Sequence, residues 1–151
     1  MPEEVPNDED SSRLLFAPLM EVPNGELVWQ NVFQFQSKYG CCESLVWRRY
    51  APTIADVHAI GCGKQWADRA AERTQTYTGA LTANIGVVRN LRSLKGGRFL
   101  IEQVPDEGEW HLHICFDQAH SLTRNDKTEL KKHIKDAFAE RSGHTCPDEA
   151  A

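Results

Sequence analysis

The chain has 151 residues, 40% of them hydrophobic and 26% charged, which is the composition of one soluble globular domain and excludes a two-domain enzyme. No run approaches the roughly 18 apolar residues of a membrane span, and the acidic start Met1-Pro2-Glu3-Glu4 is unlike the basic-then-apolar start of a signal peptide. A cytoplasmic protein without a membrane partner is expected.

The net charge of −5 is unevenly spread. Residues 1–46 carry −6, residues 47–98 carry +6 and the remainder −5. A basic middle between acidic ends suits a polyanion-binding face, and it equally suits a solvated helix surface. Cys41, Cys42, Cys62, Cys115 and Cys146 are odd in number and contain no CxxC pair, so reduced thiols are expected rather than a disulfide framework or a four-cysteine zinc site.

In chain order, residues 1–12 combine acids and prolines with few apolar side chains and predict a disordered tail. Glu26–Gln36 alternates, with Leu27, Trp29, Phe33 and Phe35 on one face, and reads as a half-buried strand. Ser44–Tyr50 reads as a second strand, and Val57–Ile60 as a short apolar run ended by Gly61 and Gly63. Lys64–Thr76 and Leu81–Leu94 read as helices, the second closed by Gly96-Gly97. Arg98–Val104 and Trp110–Phe116 then form strands paired as a hairpin, and a helix runs from about Asp126 to Arg141. The expected fold is therefore α+β, an antiparallel sheet with helices packed on one face, as a single domain over 13–143 followed by a flexible tail at 144–151.

Chemistry concentrates in the hairpin. On a strand, residues two apart share a face, so His111 and His113 project together while Leu112, Ile114 and Phe116 point to the apolar side. Two such imidazoles can chelate one divalent cation, and Glu102 on the preceding strand is placed to add a carboxylate. Two imidazoles and a carboxylate suit Mn²⁺, Mg²⁺, Fe²⁺ or Zn²⁺ and leave positions open for a substrate phosphate. Two solvent-facing strand histidines need no metal at all. His120 on the following loop is a further candidate, and Cys115 shares the histidine face, so a His-His-Cys zinc site completed by His144 and Cys146 is also conceivable. Gly61-Cys62-Gly63-Lys64 lacks the GxxxxGK[ST] spacing, which excludes a nucleotide-triphosphate loop.

A strand carrying an acid, a short turn and a strand reading His-hydrophobic-His resembles the metal-binding motif of the HUH endonuclease superfamily, over about residues 80–141. The resemblance implies a metal-dependent single-stranded DNA nicking or strand-transfer domain, with His111, His113 and Glu102 holding Mn²⁺ or Mg²⁺ and a tyrosine attacking the phosphodiester. Replication initiators carry that tyrosine after the histidines, where this chain has none. Relaxases carry it before them, which makes Tyr77, or else Tyr50, the expected nucleophile. Arg89, Arg92, Lys95 and Arg98 are the matching phosphate-contacting patch. The alternative is a non-enzymatic binding or regulatory protein, of the immunity-inhibitor or phage and plasmid accessory kind, acting through a protein interface.

Overall fold

The computed structural model describes residues 2–72, 74–118 and 122–148. The first strand, β1 (Asp10–Ala17), begins inside the segment expected to be a disordered tail, and Ser11, Ser12 and Leu15 in it are fully buried. The preceding residues are also packed. Val5 joins the core, Glu9 accepts a hydrogen bond from Trp47 Nε1 at 2.8 Å, and the Arg89 guanidinium holds the Val5 carbonyl and Asn7. The composition of residues 1–12 supplies little apolar surface, but contacts from distant residues offset the ordering entropy.

The alternating stretch Glu26–Gln36 is not a strand. It carries one helical turn, α1 (Trp29–Val32), and Phe35 adopts a positive φ of 51°. That bend turns Phe33 and Phe35 into the same core, where Phe35 packs on Phe99 and Phe116 at ring separations of 5.3 and 4.5 Å. The alternation therefore marks a buried aromatic plug without a partner strand. β2 (Cys42–Trp47) follows close to where a strand is expected.

α2 (Ile54–Ala70) starts ten residues before the predicted Lys64. A capping box opens it: Thr53 Oγ1 accepts from Asp56 N at 3.1 Å, and Asp56 Oδ2 accepts from Thr53 N at 3.0 Å. Gly61 and Gly63 lie inside this helix rather than ending it. At Gly61 the missing side chain is required, because a Cβ there would sit 2.3 Å from the Tyr77 ring.

The predicted helix Leu81–Leu94 is instead β3 (Thr76–Asn84) and one short helix, α3 (Ile85–Arg89). Pairing decides this segment, since β3 lies between β1 and the last strand and Ser12 Oγ shares a 2.9 Å hydrogen bond with Thr82 Oγ1. β4 (Phe99–Gln103) and β5 (His111–Phe116) form the expected antiparallel hairpin, with Glu102 opposite His113. α4 (Arg124–Ala137) also forms as expected, capped by Thr123 and Asp126, but its predicted last turn becomes β6 (Glu140–Gly143).

The result is a single α+β domain built on a six-stranded antiparallel sheet in the order β4-β5-β2-β1-β3-β6. Its helices cover both faces rather than one. Leu45, Leu81, Leu112 and Phe116 meet Leu130 and Ile134 of α4 on one side, while Leu14, Val46 and Ala80 meet Val57 and Cys62 of α2 on the other. Among the described residues, no helix is long and apolar enough to cross a membrane.

The cysteines correct the expectation of reduced thiols. Cys42 and Cys115 are directly opposite on β2 and β5 and are disulfide-bonded, Cys62 of α2 is bonded to Cys146, and Cys41 is free and buried. The bonded pairs are 73 and 84 residues apart in sequence, so only strand register and helix docking bring them together. The segment after β6 is consequently tethered through residue 148 rather than loose: Trp66 Nε1 donates to the Pro147 carbonyl at 3.0 Å and Arg69 to that of Asp148 at 3.3 Å.

Candidate metal centre

β5 presents His111 and His113 on one face and buries Leu112, Ile114 and Phe116 on the other, as the alternation requires. The rings meet edge to face with centroids 5.1 Å apart. Behind them, β2 supplies Ser44, whose Oγ stands 3.1 Å from His111 Nε2. The indole of Trp110 stacks on His111 at 5.2 Å, and the Lys64 ammonium lies over that indole at 5.5 Å. One face of the His111 ring is thus covered by Trp110 while Ser44 meets its Nε2 edge.

The carboxylate that reaches the histidines is that of Glu107, not Glu102. Val104 is followed by a 3-10 turn, Pro105–Glu107, which ends at Gly108 with φ 127°. The Gly108 carbonyl accepts from His111 N at 3.0 Å, closing the turn against β5. This folds the Glu107 side chain back over the strand, with its Oε2 3.1 Å from His111 Nε2 and 3.3 Å from His113 Nε2. Glu102 faces the same side across from His113, yet it lies outside this group and lines a different cleft beside Arg89. A turn that brings Glu107 back onto the strand leaves no trace in a period-two pattern. Only the short turn between two strands, with acids in it, marks the region.

Ligand atoms bound to one cation at about 2.1 Å stand roughly 3.0–3.4 Å from one another. The two Glu107 contacts fall in that interval, and all three ligand atoms lie within 4.8 Å of each other. Burial, the largest effect, holds the His111 imidazole below its ordinary pKa despite the opposing Glu107 charge, so the neutral, metal-ligating form is favoured. The donor set of two imidazoles and a carboxylate therefore fits a divalent transition metal and leaves coordination positions free.

Glu107 and His113 line a cleft of about 360 Å³ together with Arg13, Tyr39, Cys42, Glu43 and Ser44. Tyr39 is 64% exposed. Tyr77, the expected nucleophile, is elsewhere: β3 stands three strands from β5, about 14 Å across the sheet, and Tyr77 is 1% exposed beneath α2. Its hydroxyl is held by His58 Nδ1 at 2.8 Å and burial raises its pKa far above the ordinary phenol value. Tyr50 does not line the cleft and donates to the Glu3 carboxylate.

The expected phosphate-contacting patch is largely occupied within the fold. Arg89 donates to the carbonyls of Val5 and Ile101, Arg92 to those of Arg89 and Leu91, and Arg98 pairs with Asp117 at 2.7 Å. Arg89, Arg92 and Arg98 share a cleft with Glu102 along β4, and Lys95 is not part of its lining. His120 lies outside the described residues. No protein-family model, curated protein or solved structure matches the chain.

Proposed function

We propose that this protein binds a divalent transition-metal ion through Glu107, His111 and His113 and uses it as an open Lewis-acid centre in the Tyr39 cleft. The observation that carries this reading is the single Glu107 oxygen poised within 3.3 Å of both imidazole Nε2 atoms. A bound cation supplies polarisation of a phosphoryl or carbonyl oxygen. The chain supplies the rest: Trp110 covers the His111 ring, Ser44 Oγ stands beside the same Nε2 atom as a further oxygen next to the bound ion, and Arg13 and Glu43 line the cleft.

The reaction that best joins this site to the HUH resemblance is attack on a phosphodiester of single-stranded DNA, with Tyr39 in the role expected of Tyr77. Tyr39 precedes the histidines in sequence, as in relaxases, and lines their cleft. Its oxygen bonds to phosphorus as the bond to the leaving oxygen breaks, and the phenol proton ends on that leaving oxygen.

The test is calorimetric titration with Mn²⁺ and Zn²⁺, followed by intact-mass analysis after incubation with Mn²⁺ and mixed-sequence single-stranded oligonucleotides. One bound ion, lost in His111→Ala, is expected, together with an oligonucleotide adduct that Tyr39→Phe removes. Metal binding without an adduct retains the metal centre and rejects the nicking reaction. Binding of neither metal rejects both.

A further inference from the structure

A second group of metal-type side chains lies on the α2-covered face beside β3, three strands from β5 in the sheet order. α2 carries His58 and Cys62, which at i and i+4 project from one side of the helix. The extended segment after β6 carries His144 and Cys146, at i and i+2. The ligand atoms of Cys62, His144 and Cys146 all lie within 4.8 Å of one another. The ring of His58 stacks on that of His144, with centroids 4.3 Å apart and planes 11° from parallel. Two sulfurs and one imidazole from two short segments supply three donors of a tetrahedral zinc site, and His58, stacked face to face on His144, packs beside them.

The surroundings hold these ligands whether or not the sulfurs are joined. His144 N donates to the Thr78 carbonyl at 2.9 Å, and Trp66 and Arg69 of α2 hold the carbonyls of Pro147 and Asp148. Three hydrogen bonds thus flank Cys146 independently of its disulfide. The Tyr77 hydroxyl holds His58 Nδ1 at 2.8 Å, which fixes the His58 ring as the packing surface for the His144 imidazole. Cys62 is buried and Cys146 half-buried, so a small reductant reaches the sulfur pair from the Cys146 side.

We propose that Cys62, Cys146 and His144 form a redox-gated zinc site with its fourth position open to solvent, closed to metal by the Cys62–Cys146 disulfide and opened by its reduction. In the opening step a dithiol gives two electrons and two protons to the disulfide, yielding two thiols and an oxidised dithiol. The thiols release two protons on binding Zn²⁺, and the sulfurs separate to about 3.8 Å, the edge of a tetrahedron with Zn–S bonds of about 2.3 Å. In the closing step the two zinc-bound thiolates lose two electrons to hydrogen peroxide. The S–S bond forms, Zn²⁺ leaves, and peroxide with two protons becomes two waters.

Co²⁺ is the spectroscopic probe, because tetrahedral cobalt with thiolate ligands gives ligand-to-metal charge-transfer absorption that histidine and carboxylate ligands alone do not. The full chain is used with Cys42→Ser and Cys115→Ser, which removes the other disulfide and its neighbouring His113 as a source of that signal. Oxidised protein is expected to show no such band. Reduction with a phosphine should produce it at one equivalent of Co²⁺, Zn²⁺ should displace it, and peroxide should erase it with a mass loss of two hydrogens. His144→Ala keeps the oxidised disulfide and therefore the fold, yet should lose the band on reduction, as should Cys146→Ser. Reduction without the band, or a band that survives Cys146→Ser, overturns the proposal. Glu107 variants leave the signal unchanged, which separates this site from the β5 centre.

Discussion

The Glu107 Oε2 atom lies 3.1 Å from His111 Nε2 although the two residues belong to different elements, a 3-10 turn and the strand it leads into. The turn, rather than the neighbouring strand β4, supplies the carboxylate. Glu107→Gln is therefore expected to weaken binding of a divalent metal by at least about tenfold, while Glu102→Gln leaves it unchanged. Titration calorimetry of the two variants beside the parent measures this, and equal loss in both contradicts the placement.

The two tyrosines should separate reactivity from stability. Tyr39→Phe removes an exposed hydroxyl from the β5 cleft and is expected to abolish any oligonucleotide adduct with little effect on unfolding. Tyr77→Phe leaves His58 Nδ1 without its buried partner and should cost about 1–3 kcal/mol of stability with the adduct retained. Chemical denaturation and intact-mass analysis of both variants give the comparison.

Arg13 fills the place where β1 and β2 separate: it pairs with Glu43 at 2.5 Å and donates to the carbonyls of Val32 and Ser44, both at 2.9 Å. Both side chains are about nine-tenths buried, and desolvation lowers the guanidinium's pKa more than Glu43 restores it. Arg13→Met is expected to destabilise the fold by roughly 3–5 kcal/mol, since it strands a buried carboxylate. Adding Glu43→Leu should recover much of that loss, and urea unfolding of the single and double variants tests it.

Residues 2–9 act as part of the core rather than as a tail. Their deletion removes buried Val5, for which burial contributes about 1.5–3 kcal/mol, and the Glu9 acceptor of Trp47. A lowered urea midpoint is expected, whereas an unchanged midpoint is the behaviour of a disordered segment.

His58 and His111 are both held below the ordinary imidazole pKa of 6.5, chiefly by burial. His144 and Arg48 add to the effect at His58, while His113 and Lys64 add to it at His111 and Glu107 opposes it. Their contribution to stability is complete above the unfolded value, where both states are neutral. It declines as pH falls through the folded values, because the unfolded chain accepts protons that the folded chain refuses. Asp56 and Asp126, lowered by their capping-box hydrogen bonds to Thr53 and Thr123, lose their contribution only below about 3.8. Tm measured without metal should therefore fall as the pH drops below the ordinary imidazole value of 6.5, and His58→Gln should flatten part of that slope.

What could be read from the chain alone was local. The β4–β5 hairpin, the shared face of His111 and His113 and the amphipathic α4 follow from periodicities of two and 3.6, which neighbouring residues impose on one another. The α+β class followed from those elements. The Thr53-x-x-Asp56 cap was also present in the sequence, obscured by Gly61 and Gly63, of which Gly61 makes room for the Tyr77 ring rather than ending the helix.

The rest was decided by residues far apart. β3 is a strand because β1 and β6 pair with it, and the aromatic alternation at 26–36 becomes a plug because no strand is there to receive it. The sheet order separates Tyr77 from the histidines and places Tyr39 beside them. Register joins Cys42 to Cys115, and docking of the last segment on α2 joins Cys62 to Cys146. A sequence records which side chains can bind metal or form a bridge; long-range pairing and burial choose which of them meet, because that choice depends on contacts summed over the whole sheet and not on any window along the chain.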